Sequence, residues 1–189
     1  MDMILPVAVG VLTLIATLSG IYLAHHLQAK RSEKQERRRL YMQLMGLRAA
    51  LYQHAGLHGD ATINSRYNAA LARGFADQPR NTYYDQRRQF WEDKTIEATR
   101  ALVESHMRLM ETIGGIHMHF DRTDKLDSLT HRLFHIEFLT IEPVENVGAD
   151  HMKALRVQWK SELNSYLTKG ITQPVDALAL YLRDQLADD

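Results

Sequence analysis

The sequence predicts an all-α protein: a single N-terminal transmembrane helix that continues into a cytoplasmic antiparallel helical bundle. Three observations predict this fold. Residues 4–24 carry no charged side chain, and residues 30–39 then carry six positive charges. From residue 40 onward, apolar residues recur every three or four positions, which is the period of one helical face, and no run alternates as a β-strand does.

The charge-free run has the length of a membrane-spanning helix. At 1.5 Å per residue it extends about 31 Å, close to the roughly 30 Å hydrocarbon core of a bilayer. A cleaved signal peptide is the alternative interpretation. However, the preceding Met1-Asp2-Met3 has no positive charge, and the run exceeds the roughly 7–15 apolar residues of a signal. We therefore expect an uncleaved anchor over residues 1–29, spanning at about 4–24.

The basic segment that follows, residues 30–39, predicts the orientation. Its positive side chains are Lys30, Arg31, Lys34, Arg37, Arg38 and Arg39. Because positive flanks stay on the cytoplasmic side, we expect the N-terminus outside and a helical domain of residues 40–189 in the cytoplasm, at a bacterial inner membrane. We also expect these six side chains to contact lipid headgroups, since each positive charge near an anionic surface is worth about 1 kcal/mol.

Two sets of residues predict self-association. Ala16, Gly20 and Ala24 stand four positions apart and share one face of the predicted span, where small side chains let helices approach closely in lipid. Leu44, Leu47 and Leu51 form an apolar stripe beyond the basic segment. We expect both sets to line contacts in a homo-oligomer.

The composition excludes several kinds of chemistry. Positive and negative side chains both number 23, so the formal net charge is zero and no bulk attraction to nucleic acid is expected. Glu33 and Glu36 partly neutralise the basic segment, which contains no aromatic residue and is therefore a poor nucleic-acid patch. The chain has no cysteine, which excludes disulfides and thiol nucleophiles. No cofactor is predicted.

The first cytoplasmic helix is expected to continue the membrane span without a break. Its apolar stripe runs to about His58, where Gly59 and Asp60 are predicted to end it. A short helix to Arg73 follows, and turn-forming residues predict a loop over 75–82.

A second long helix is predicted over residues 83–113, because its apolar residues keep the helical spacing. Gly114 and Gly115 are expected to kink or end it. Thr123 or Asp124 then begins a third helix.

The C-terminal part is expected to contain two more helices after a loop at residues 141–150. The first ends at Lys169 and Gly170, and Thr172 caps the second, with Pro174 in its first turn. Antiparallel packing of at least four helices is the predicted solution.

Two pairs of histidines stand four positions apart: His54 with His58, and His131 with His135. Residues i and i+4 share a helical face, so each pair can present two imidazoles to one metal ion, and Asp127 adds a carboxylate to the second column. Neutral imidazole with carboxylate suits zinc, iron or manganese. The alternative is that these histidines are core or interface residues.

A second pattern is an arginine followed six positions later by a histidine, at Arg48 and His54 and again at Arg100 and His106. This arrangement resembles the nuclease motif of the HEPN superfamily, whose members are small helical bundles that cleave RNA. The resemblance implies a catalytic role for these four residues, with histidine as acid or base and arginine on the phosphate. It covers only these residues and the fold class.

An aromatic cluster accompanies two arginines at the start of the second long helix. Its members are Tyr83, Tyr84, Arg87, Arg88, Phe90 and Trp91. Such side chains bind partners or stack on bases in some proteins, and pack a helix end against its neighbour in others.

These observations predict a single-pass membrane protein whose bundle acts by self-assembly or by recruiting a protein partner. Several small membrane effectors of antiphage and CRISPR-associated systems have the same layout, assemble as rings and disturb the membrane. The alternative is a membrane-tethered enzyme, which is either metal-dependent through the histidine pairs or a ribonuclease through the arginine–histidine pairs.

Overall fold

The computed structural model describes residues 4–76, 78–136, 138–144 and 149–188, with side chains for 17–76, 78–136, 138–144 and 151–187. Over these residues every regular element is helical, so the predicted all-α class is confirmed.

The two longest helices form an antiparallel hairpin. Helix α1 (Ile4–Gly74) has 71 residues and α2 (Arg80–His119) has 40. The short connection between them begins directly after Gly74, as the predicted loop does. The predicted end of α1 at Gly59 and Asp60 is wrong. Gly59 is buried, and an added Cβ would overlap the side chain of Leu163, so this glycine permits close packing with a later helix rather than ending its own.

The glycine pair in α2 also lies inside a continuous helix, which runs on to His119. Of the two predicted outcomes, a kink or an end of the helix, the end is therefore excluded. Gly114 faces open space, whereas a Cβ at Gly115 would approach Leu40 Cδ2 to 2.7 Å. Gly115 therefore lets α2 pack closely against the first buried leucine of α1.

The start of helix α3 (Asp124–Phe134) is as predicted. Thr123 is its N-cap, and the Thr123 hydroxyl accepts a hydrogen bond from the backbone N–H of Leu126 at 3.1 Å. The same hydroxyl is 2.8 Å from the Tyr181 hydroxyl, which ties this helix start to the C-terminal helix.

The last three elements form one uninterrupted helical rod. Helix α4 (Ala149–Ser165) runs into a π-helical segment (Tyr166–Thr172), which runs into α5 (Gln173–Asp188). The predicted stop at Lys169 and Gly170 and the predicted cap at Thr172 are therefore wrong. The Thr172 hydroxyl instead donates to the Leu167 carbonyl at 3.0 Å. A wider turn is one way in which a helix accommodates a proline such as Pro174.

The π-helical segment also explains the register of the buried face. Leu163, Leu167, Ile171 and Val175 are all buried although they stand four apart. In a pure α-helix each such step would rotate the side chain by about 40° away from the core. The wider turns of the π-helix reverse part of that rotation and keep the stripe on the core.

A single core is shared by all the helices. The apolar stripes predicted from the sequence supply it: Leu40, Leu44 and Leu51 of α1, Leu102, Leu109, Ile113 and Ile116 of α2, Leu126 and Leu133 of α3, and Met152, Trp159, Leu163, Val175, Leu178 and Leu182 of the C-terminal rod. Most of these side chains have no exposed surface. The periodicity that predicted the helices therefore predicted their buried faces as well.

Helix α1 extends beyond this core at its N-terminal end. Every side chain from 17 to 33 is exposed, and the first buried one is Leu40. Among the residues that the structure describes, none of the helices has both the length and the hydropathy needed to cross a membrane. Most of the predicted span, 4–24, falls on side chains at 4–16 that lie outside the described residues, so the anchor stays a prediction.

The glycine pair in α2 generates a matched test of the packing. We expect Gly114→Ala to raise the free energy of unfolding by about 0.5–1 kcal/mol, because alanine is the better helix former and the site is open. At Gly115, the Leu40 side chain must shift to make room for the added Cβ, so we expect Gly115→Ala to be less stable than Gly114→Ala. Urea unfolding of the two variants, followed by circular dichroism, measures the difference; equal stabilisation by both would contradict the close approach of the helices.

Candidate functional site

The exposed N-terminal part of α1, residues 17–29, is called the stalk. Its large apolar side chains Leu18, Ile21, Leu23 and Leu27 are roughly half exposed or more, and the chain does not cover them. On a monomeric soluble surface, apolar side chains gathered in this way mark contact with a membrane or with another protein. The stalk is thus one candidate functional surface.

The basic segment lies at the foot of the bundle, between the stalk and the core. Arg37 bonds to Glu33 at 3.3 Å and its guanidinium lies 5.4 Å from the centre of the Phe120 ring. Arg39 bonds to Glu36. The other four predicted headgroup contacts are Lys30, Arg31, Lys34 and Arg38, which have no acidic partner among the described residues. Their charge is therefore available to an anionic surface.

The two sets of predicted oligomer contacts differ in accessibility. Gly20 and Ala24 are exposed, whereas the side chain of Ala16 lies outside the described residues. Leu44 and Leu51 have no exposed surface because they pack inside the chain's own bundle, and only Leu47 is partly exposed. A subunit contact at this stripe could therefore use Leu47 alone. Sequence periodicity does not distinguish a face that packs within one chain from a face that packs between chains.

A groove between α1 and α2 reaches the surface beside Leu47. It has a volume of about 750 Å³, and small residues, Gly46, Ala50 and Gly115, contribute to its lining together with Met118. Acidic and basic side chains line it as well, among them Glu36, Arg39, Arg108 and Glu111. Sequence reasoning missed this concave surface because it forms only where two distant segments pack together.

The structure does not pair Arg48 with His54. The Arg48 guanidinium instead grips the Asp176 carboxylate with two hydrogen bonds, one of them 2.9 Å from Nη2 to Oδ2, which joins α1 to α5. This contact raises the pKa of Arg48 above its ordinary value. His54 Nδ1 hydrogen-bonds to the buried Ser105 hydroxyl at 2.7 Å, which joins α1 to α2. Both residues are engaged in contacts between helices.

The second arginine–histidine pair is also divided. His106 Nε2 donates to the Leu133 carbonyl at 3.3 Å, so it satisfies a carbonyl at the C-terminal end of α3. Arg100 is exposed to solvent. No hydrogen bond between arginine and histidine of the same motif is present among the described residues. The ribonuclease alternative therefore stays a prediction from the sequence motif.

The first histidine pair is similarly split between two environments. His54 is bound to Ser105, whereas His58 is buried against the Phe138 ring, with centroids 6.0 Å apart, and its Nδ1 has no hydrogen-bond partner among the described residues. Burial lowers the pKa of His58 below its ordinary value. The neutral imidazole is therefore favoured at this position.

The second histidine pair stays together, but without the predicted carboxylate. The rings of His131 and His135 lie 4.6 Å apart on an exposed face. Asp127 bonds to Arg122 at 3.2 Å and lies 3.6 Å from His117. Within the described part of the chain, no group of three or more histidine, aspartate or glutamate side chains could hold a metal ion.

His135 also contributes to the wall of an open cavity of about 600 Å³ beside the π-helical segment. Arg132 and Lys169 line the same cavity. The neighbouring Tyr166 hydroxyl is buried without a hydrogen-bond partner among the described residues, and burial raises the pKa of Tyr166 to about 12. π-helical turns are frequent at functional sites. This cavity is therefore a second candidate surface, and the sequence did not reveal it.

Comparisons with known proteins add no relative: no family model, no curated protein and no solved structure matches the chain. The functional assignment therefore depends on the chain's own residues and geometry.

The buried imidazole of His58 generates a pH prediction. Because the folded state keeps His58 neutral, the unfolded chain binds the additional proton as the pH falls through about 6.5, and stability decreases. We expect the chain to lose stability between about pH 7.5 and about pH 5.5, and the variant His58→Leu to lose less.

Urea unfolding at the two pH values measures this difference. His151→Leu is the matched control, since His151 is exposed, and it should decline as the unmodified chain does. A decline in His58→Leu as steep as in the unmodified chain would show that His58 does not contribute.

Proposed function

We propose that this chain is a single-pass membrane protein whose helical bundle lies on the cytoplasmic face and acts by self-assembly or by recruiting a protein partner. The observation that carries the proposal is the stalk. Leu18, Ile21, Leu23 and Leu27 are exposed on a helix that extends from the bundle. They continue the charge-free run that begins at Ile4. Together they form an apolar stretch of helix that the bundle leaves uncovered.

The position of the basic segment supports the orientation. Lys30, Arg31, Lys34 and Arg38 lie between the charge-free run and the first core residue, Leu40, and lack acidic partners among the described residues. A membrane-proximal cluster of this kind favours the cytoplasmic side and binds anionic headgroups. The bundle would then begin within about 15 Å of the last apolar turn, given ten helical residues in between.

Self-assembly is supported by the surfaces that remain open. Gly20 and Ala24 offer a small-residue face on the stalk, and the groove near Leu47 offers a concave face on the bundle. Catalysis is not part of the proposal, because Arg48, His54 and His106 are engaged in contacts between helices. We extend the proposal to membrane disruption after a trigger, by analogy with the layout of small antiphage membrane effectors.

The absence of native cysteine allows a direct test of the topology. We expect Asp2→Cys to react with a membrane-impermeant maleimide in intact cells, because the N-terminus is proposed to lie outside. Ser161→Cys, on an exposed face of α4, should react only after the cells are permeabilised.

The two variants separate the parts of the proposal. If Ser161→Cys reacted in intact cells and Asp2→Cys reacted only after permeabilisation, the proposed orientation would be refuted but the membrane anchor would still be supported. Labelling of both sites in intact cells, or release of the chain by alkaline carbonate, would refute the anchor itself.

Self-association through the stalk is tested by Gly20→Leu. No atom of the chain lies within 4 Å of a Cβ placed at Gly20, so the leucine does not disturb the single chain. We expect the native mass in detergent to fall, because the larger side chain keeps two stalks apart. Ser19→Leu is the control, since it adds the same side chain about 100° around the helix. An unchanged mass in Gly20→Leu would exclude this face as the contact.

A further inference from the structure

A small cavity lies at the end of the α1–α2 hairpin that is far from the stalk. Its volume is about 270 Å³, and α1, α2 and α4 all contribute to its wall. Asn64, on this wall, follows Leu40 by twenty-four residues of the same helix, so the cavity lies about 36 Å beyond the start of the core. Small-molecule pockets have volumes of roughly 300–1,000 Å³, so this cavity suits a ligand at the small end of that range.

Arg156 of α4 is held in place at this cavity by two contacts. Its guanidinium lies 4.8 Å from the centre of the Tyr67 ring, and its Nη2 donates to Asn64 Oδ1 at 2.7 Å. Asn64 is fixed in turn, because its Nδ2 donates to the Asp60 carbonyl at 2.8 Å. A planar guanidinium oriented in this way is suited to the two-oxygen edge of a phosphate or carboxylate.

Arg156 has no acidic partner among the described residues. Its buried Nε–H has no hydrogen-bond partner there either. A charged donor that is removed from water without a partner costs free energy, which an anionic ligand beside it reduces.

Arg87 of α2 brings a second cation to the same cavity. Its guanidinium lies 5.6 Å from the Tyr83 ring and donates to the Tyr83 hydroxyl at 2.8 Å. The neighbouring Arg88, which does not line the cavity, bonds to Asp85 at 3.1 Å and to Glu92 at 3.0 Å. Of two adjacent arginines, the one at the cavity therefore has no acidic partner in the described part of the chain, and the one outside the cavity has two.

Aromatic rings form much of the remaining wall. Tyr67, Tyr83 and Tyr84 all line the cavity, and no acidic residue does so in the described part of its wall. Tyr84 is held by Phe75, with ring centroids 5.5 Å apart in a stacked arrangement. Rings and guanidinium planes around one small volume are the surfaces on which a planar ligand ring stacks.

We propose that this cavity binds a small anion that carries a planar ring, with the size and chemistry of a nucleoside monophosphate. Arg156 and Arg87 bind the anionic oxygens, and the tyrosine rings stack on the base. This proposal does not depend on the proposed membrane anchor, because the pocket is built from the bundle alone. It gives the bundle a ligand site in addition to its surfaces for self-assembly.

Isothermal titration of the full-length protein in detergent tests the proposal with four probes: adenosine 5′-monophosphate, uridine 5′-monophosphate, adenosine and inorganic phosphate. We expect both nucleotides to bind, and adenosine and phosphate each to bind at least about tenfold more weakly, because each lacks one half of the recognised chemistry. Phosphate that binds as tightly as the nucleotides would overturn recognition of the ring. Adenosine that binds as tightly would overturn recognition of the anion.

The adjacent arginines supply the matched variants. We expect Arg87→Gln to weaken nucleotide binding at least about tenfold, and Arg88→Gln to leave it unchanged. Arg87 is exposed, so its variant is expected to fold, and Arg156→Gln should show a larger loss. Equal weakening by Arg87→Gln and Arg88→Gln would indicate only a general electrostatic attraction of the nucleotide to positive charge and would overturn the site. Failure of either nucleotide to bind at millimolar concentration would also overturn it. Neither result would affect cysteine labelling of the anchor.

Discussion

The packing of α1 against α2 is the contact on which the rest of the structure depends. These two helices contribute half of the buried leucines and isoleucines of the core, and the other helices pack onto the surface that the pair creates. The approach is closest where side chains are absent, at Gly115 against Leu40. A second close approach, at Gly59 against Leu163, seats the C-terminal rod on α1. The absence of a side chain at Gly115 and at Gly59 therefore lets the helices pack closely at these two points.

Three of the four catalytic candidates have structural roles. His54 bonds to Ser105, His106 bonds to the end of α3, and Arg48 bonds to Asp176. Each contact crosses from one helix to another and satisfies a polar group near the core, where an unpaired group would be costly. These polar contacts thus fix how the helices are oriented against one another, in a bundle that is held together mainly by apolar side chains. Among the described residues, Arg31 and Arg38 at the foot of the bundle and Arg87 and Arg156 at its far end have no acidic partner.

A single helix connects these two ends. Helix α1 carries Gly20 on the stalk, Leu40 at the start of the core and Asn64 at the far cavity, without a break in the described backbone. A continuous helix has no joint at which its parts could move independently, because each backbone hydrogen bond overlaps the next along the chain. The proposed membrane contact and the proposed ligand site are consequently parts of one element, about 66 Å apart along it.

The sequence by itself determined the all-α class, the apolar faces of the helices and the start of α3 at Thr123. These properties depend on neighbours within a few positions, which a local pattern records directly. Only the tertiary structure decided the continuity of the helices at Gly59, Gly115 and Gly170. A glycine can end a helix or admit a neighbour, and the difference depends on residues far away in the chain. The same reason applies to the candidate sites: Tyr83, Tyr84 and Arg87 stood out as a cluster, but Arg156 joins them only because α4 packs across the hairpin.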